Sequence, residues 1–212
     1  MSSPTEDAEN KQIKVGKVRE SYHHGDLRAN LVEATRQLVE THGPDRFSVS
    51  DACRAAGVST AAPYRHFADR EEMLLAVAVA GMDRFKAVMA EATVGHRRGS
   101  LDALTALGQA YVDFALREPG VFRQIFGLKQ RDLGHAEMEA KGMAVYQMLL
   151  EQIAAYLGEP EVNDKVRARA FPLWTHVHGL CFLLIDEKTS KVGLEIDREA
   201  ILRTTAERLL RH

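Results

Sequence analysis

The stretch that most limits what this chain can become runs from Ala52 to Phe67, ACRAAGVSTAAPYRHF, because Gly57-Val58-Ser59 leaves only three residues in which to turn from one short helix into the next. Ahead of the turn, Val49, Ala52, Cys53 and Ala56 recur at helical spacing behind Ser48, and Asp51 completes an imperfect capping box. Gly57 supplies the positive φ that a sharp helix exit needs, and Val58 is positioned to fill the space between the two helices. Ser59 is expected to cap the second helix, leaving its free N–H groups and positive dipole end for phosphate. Two short helices about such a turn have helix-turn-helix geometry, in which the second helix enters a DNA major groove. Its outward face would be Ser59, Thr60, Ala61, Tyr64 and Arg65.

Pro63 complicates that helix. Counted from a Ser59 cap it stands at the fourth position, where its missing N–H forfeits the first intrahelical bond; counted from Thr60 it costs almost nothing. The expectation is a first turn that is tight or shifted by one residue, with Pro63 on the inner face.

Apolar residues elsewhere follow the helical period and no strand alternation is evident, so the fold class is all-α, with about nine helices. Leu27, Leu31, Ala34 and Leu38 mark a first helix stopped by Gly43-Pro44; Asp69 with Glu72 opens a long one reaching about residue 92. "GHRRGS" (95–100) reads as a break between lobes. Helices follow from Ser100, through Phe122 and Phe126, from about Asp132 to Leu157, from about Val162 to Ile185 with Pro172 as a kink, and from Asp197 to about Leu210. The division implied is a basic N-terminal arm (1–21), a three-helix DNA-binding domain (22–68) and a helical regulatory domain (69–212).

The longest apolar runs, from Leu74 and Leu180, fall well short of the ~18 residues of a membrane span. The first ten residues are polar and acidic, unlike a secretory signal, so a cytoplasmic protein is expected. Cys53 and Cys181 lie far apart without metal-ligand spacing, and His176 and His178 face different sides of a helix, so neither metal nor cofactor is expected. Residues 11–70 hold ten Lys/Arg against seven Asp/Glu, whereas residues 71–212 hold eighteen against twenty. The positive excess therefore sits beside the turn, as a nucleic-acid footprint would. Lys11, Lys14, Lys17 and Arg19 read as a soluble tail with non-specific phosphate attraction, or as a minor-groove arm.

The whole stretch FSVSDACRAAGVSTAAPYRHFADREEML resembles the DNA-binding signature of the tetracycline-repressor (TetR) family of bacterial regulators, and the likeness extends from "YHHGDLR" to Leu75. "PLWTHVHGL" is similar to the Trp-x-x-x-His-Gly stretch of one C-terminal subgroup. Two departures stand out: Ala52-Cys53 replaces a larger aliphatic followed by Ala, and Arg70 replaces a Lys. The resemblance implies a homodimer on a palindromic DNA operator, with a C-terminal lobe that takes a small-molecule effector. By position it makes Thr60 and Ala61 base-facing, Tyr64 and His66 contacts to phosphate or sugar, and Ser48 and Arg70 further phosphate contacts.

In the second lobe, Phe85, Met89, Tyr111, Phe114, Phe122, Phe126, Tyr146, Trp174 and His178, with Met82, Met143 and Phe171, lie on helices expected to converge. With the resemblance, they suggest a pocket for a hydrophobic or aromatic molecule. "VHGLCFLLI" is apolar almost all round, which fits a dimer interface built with the last helix from Gly179, Phe182, Leu183, Leu202 and Leu209. The expected function is a ligand-released repressor, not an enzyme, since no nucleophile or carboxylate pair has a partner at suitable spacing. The alternatives are a DNA-binding regulator gated by a protein partner or by oxidation of Cys53, and a helical-bundle enzyme.

Overall fold

The computed structural model describes residues 24–127, 135–190, 193 and 195–211. The basic arm and the expected helix start near Asp132 lie outside the described residues. Among the described residues there are eight α-helices and no strand, so the all-α class stands; the ninth helix expected after Ser59 is a single 3₁₀ turn, Pro63–Arg65. Proline is the reason. It occupies the first position of that turn, where no N–H is needed, and the backbone closes locally, His66 N and Phe67 N both donating to the Pro63 carbonyl at 2.7 and 2.9 Å. Pro63 is buried, as expected, but Ser59 caps no helix; its carbonyl accepts only the turn bond from Ala62 N at 3.0 Å.

α1 (His24–His42) and α2 (Val49–Ala56) meet at their small and aliphatic faces, with Leu31 and Ala52 fully buried. The capping box of α2 is complete rather than imperfect: Asp51 N donates to Ser48 Oγ at 3.2 Å, and Ser48 N donates to Asp51 Oδ2 at 2.9 Å. Such a cap contributes about 1 kcal/mol. Gly57 leaves α2 at φ 68°, and Val58 N reaches back to the Cys53 carbonyl at 3.0 Å. α3 (Arg70–Ala92) starts from the Asp69 cap, whose side chain accepts from Glu72 N at 2.8 Å.

α3 is the strut of the molecule. Its first turns, through Met73 and Ala76, close the small core of α1, α2 and Phe67; its remainder, through Val77, Met82, Phe85 and Met89, enters a larger core. That core is completed by α4 (Leu101–Arg117), α5 (Pro119–Gly127), α6 (His135–Leu157), α7 (Asp164–Ile185) and α8 (Arg198–Leu210). The 93–100 connection joins α3 to α4, which pack on each other within this larger body. α7 runs through Pro172 as one helix, at the loss of one intrahelical bond. No helix among the described residues is long and apolar enough to cross a membrane.

Candidate nucleic-acid face and apolar cavity

Ser59, Thr60, Ala61, Tyr64 and Arg65 are all exposed, on the turn between α2 and α3. Tyr64 has 64% of its surface in water, which is unusual for a large aromatic side chain in a small helical core. The buried Pro63 and Phe67 on either side hold this segment down, so the exposed side chains stand on an anchored base. Ser48 is exposed at the start of α2, its hydroxyl engaged with Asp51 Oδ2 at 2.7 Å.

Two residues expected at this face, His66 and Arg70, are partly buried. His66 is half-buried, and its Nε2 is covered and has no hydrogen-bond partner. Arg70 is engaged within the subunit as a clamp. Its Nε donates to the Phe47 carbonyl at 3.1 Å and a second nitrogen to the Pro44 carbonyl, while the guanidinium lies 4.7 Å over the Phe47 ring and pairs with Glu71. Two of its nitrogens thus fasten the loop before α2 onto α3.

A cavity of about 410 Å³ opens between α3, α4, α6, α7 and α8, with Phe126 of α5 at one wall. Of the residues expected to line it, Phe85, Met89, Tyr111, Phe126, Tyr146 and Trp174 do, as do Met82, Met143 and Phe171. Phe114 and Phe122 do not; they are fully buried beyond the wall, packed on Phe85 at 4.8 Å and on Phe126 at 4.7 Å between ring centres. His178 is also one layer back, with Nδ1 3.0 Å from the Tyr111 hydroxyl, which in turn accepts from Trp174 Nε1 at 3.4 Å. Periodicity places an aromatic on a helix face but does not give its depth, and these three lie behind the wall rather than on it.

The wall also contains groups that sequence reasoning passed over, notably Glu139, and His176 whose Nε2 is 3.3 Å from Thr205 Oγ1. Burial holds both His176 and His178 below the ordinary histidine value, so both imidazoles are neutral near pH 7. Burial likewise pushes the Tyr111 hydroxyl above its usual range, and the Cys181 thiol up to about 12. The Cys53 thiol is buried and raised by desolvation too, the opposite of what a reactive cysteine needs.

Leu202 is a correction to the expected dimer face: it is buried, lies on the cavity wall, and packs over Gly108. Phe182 is half-buried against Phe122 and His178, and Leu209 is half-buried. What α7 does expose is a stripe at helical spacing, Phe171, Thr175, Gly179 and Leu183, with Phe171 at 58% and Leu183 at 50%.

One joint connects the two ends of the molecule. The carboxylate of Glu40, on the last turns of α1, accepts from Gly120 N at 2.8 Å and Val121 N at 2.9 Å, the free donors at the start of α5. Gly120 is there because a Cβ would come within 2.6 Å of the Val39 carbonyl oxygen. Beside it, Arg84 of α3 holds the buried Glu118 at 2.5 and 3.1 Å.

Residues 31–77 match the bacterial regulatory proteins of the tetR family, and residues 104–209 match the tetracyclin repressor-like C-terminal domain. A search of curated protein sequences found no match. Among solved structures, a Rhodococcus sp. RHA1 protein described as of unknown function is 26% identical with a TM-score of 0.76, the match covering 91% of this chain and 98% of that one. A putative transcriptional regulator from Pseudomonas aeruginosa PAO1 superposes with a TM-score of 0.70 at 18% identity, over 91% of this chain and 95% of that one. The fatty acid degradation regulator FadR from Bacillus halodurans does so with a TM-score of 0.64 at 16% identity, over 86% and 97%. With the N-terminal signature on an exposed turn and a tetracyclin repressor-like C-terminal domain matched over half of the chain, the chain belongs to the TetR family of bacterial transcriptional regulators.

Proposed function

We propose that the chain is a homodimeric repressor that grips a palindromic operator through residues 59–65 of each subunit and releases it when a small apolar molecule fills the cavity. The observation that carries this reading is the cavity of about 410 Å³, within the size range of small-molecule sites, walled by helices that continue into the DNA-binding end. α3 contributes Met82, Phe85 and Met89 to the wall, and its first turn is clamped by Arg70 to the loop that starts α2. α5 contributes Phe126, and its first turn is held by Glu40 of α1. A ligand that displaces α3 or α5 must therefore displace the DNA-binding helices with it.

In this reading Thr60 and Ala61 face bases, Tyr64 and Arg65 contact the backbone, and the Ser48 end of α2 and Ser59 approach phosphate. The exposed stripe of α7 packs on its partner, Gly179 allowing close approach, since a Cβ there meets nothing within the subunit. Operator binding needs the two turns ~34–36 Å apart, one DNA repeat, and a ligand preferring another spacing by ~1–3 kcal/mol changes occupancy several-fold or more. The buried, unactivated Cys53 gives no support to redox gating. The FadR neighbour's name makes acyl compounds one effector class worth comparing.

The test is a duplex selected from random sequence by the full-length protein. Tyr64→Ala should weaken binding to it at unchanged thermal stability; full affinity in the variant would overturn the assigned face.

A further inference from the structure

We propose that Gly142 sets the size of the effector: the side chain it lacks is part of the binding volume, and the apolar bulk of the ligand lies against the α6 backbone there. The inference rests on reading the cavity as an effector site. α6 turns Gly142, Met143, Tyr146 and Leu149 to the cavity, so Gly142 stands on the wall within a helix that it weakens, glycine losing more backbone freedom in a helix than any other residue. Conformation does not ask for it, since Gly142 lies within α6 and takes no positive φ. Packing does not ask for it either. Beyond its own turn of helix, a Cβ there would have the Met82 methyl as its nearest neighbour, at 4.0 Å, no closer than ordinary contact.

Other helical glycines have the packing reason that Gly142 lacks. Gly108 of α4 lies on the same cavity wall, but a Cβ there would come within 3.2 Å of Leu202, whose side chain already fills the place. Gly81 gives its space to Val121, and Gly120 gives its own to the backbone of α1. The space beside Gly142 is therefore cavity space, and its neighbours decide what suits it. Met82 and Met143 are flexible thioethers that adapt to an irregular shape, and Tyr146 follows one turn along α6. The backbone N–H and C=O groups of α6 are spent on the helix, so this part of the wall holds an alkyl chain or the edge of a ring and offers no site for a polar head.

Trp174 is the single tryptophan of the chain and stands on the cavity wall, so its emission reports occupancy directly. The probes are hexan-1-ol, octan-1-ol and decan-1-ol, titrated into the full-length wild type, Gly142→Ala and Gly142→Leu. Both substitutions suit a helix better than glycine, so both variants should fold, and Gly142→Ala should melt higher than wild type. In wild type each added carbon should tighten binding by about fourfold. Leu fills the place of about four carbons, so Gly142→Leu should keep hexan-1-ol within about threefold and weaken decan-1-ol by roughly a hundredfold; Gly142→Ala should cost decan-1-ol only about fourfold. A loss that grows with ligand length, in variants at least as stable as wild type, is what a purely structural glycine does not produce. Equal affinities for all three alcohols in wild type and both variants, or an equal loss of hexan-1-ol and decan-1-ol, overturn the role of Gly142 and leave the effector site standing. No saturable response of the wild type to any alcohol overturns the effector site itself.

Discussion

Arg70 shows how a single side chain that carries a family's pattern can also hold the fold together. A basic residue at the start of α3 reads as a phosphate contact, yet its guanidinium is committed to the carbonyls of Pro44 and Phe47 and to the Phe47 ring. Arg70→Ala should therefore lower the unfolding free energy by ~1–3 kcal/mol, the cost of stranding partly buried acceptors, as measured by denaturant titration. Arg65→Ala should leave stability unchanged and weaken DNA binding. The two partners of Arg70 are 23 and 26 residues away in sequence, so no local pattern reveals them. The caps at Ser48, Gly57 and Asp69 were legible because each is completed within about one helical turn. The buried histidines set a pH response at the same scale. Below the ordinary value of 6.5 the unfolded chain takes up protons that folded His176 and His178 resist, so stability falls as pH drops past that point and is flat with respect to them above it. Glu33, held at about 2 chiefly by its hydrogen bond to Arg36, loses its contribution only below its usual 4.5, a separate window. Melting temperature against pH should show the upper decline, reduced in His176→Gln/His178→Gln; a melting temperature that rises on acidification through 6.5 would contradict it.

Among elements, α5 matters more than its nine residues suggest. One end is nailed to α1 by Glu40 and by the contact of Gly120 with the α1 backbone, and the other puts Phe126 into the cavity wall. Gly120→Ala forces the two helices apart, because the obstacle is backbone rather than a flexible side chain. The expected outcome is a protein that still binds a cavity ligand, reported by Trp174, but whose DNA affinity responds less to it; an unchanged response would show that α5 is not the connection. "REPG" was readable as a helix stop, but that its glycine meets a helix 80 residues upstream was not. The shortened helix after the turn has the opposite history. Its proline was plain in the sequence, and the consequence, a tight turn with Pro63 inside, followed from covalent geometry; that the tightening removes the α-helix altogether depended on how firmly Phe67 and Pro63 are held in the core.

For the molecule as a whole, the all-α class and the N-terminal DNA-binding signature were legible and the internal wiring was not. Helical periodicity and one turn signature suffice for an all-α regulator with a DNA-reading end; which aromatics line the cavity and which lie behind depends on helix rotation about α3, which no single segment specifies. Leu202 makes the point, since its place on α8 fits an interface as well as it fits the cavity wall it occupies. The account stands on coupling between cavity and DNA face, and coupling is reciprocal: a ligand that weakens DNA binding by some factor must itself be weakened by DNA by the same factor. The most direct measurement is the dissociation constant for the selected duplex with the cavity empty and with it filled by a compound whose binding Trp174 reports, in wild type and in Gly142→Leu. The account predicts a rise of ~5–150-fold on filling, absent in the variant. Compounds that saturate the Trp174 signal and leave the duplex dissociation constant unchanged would contradict it.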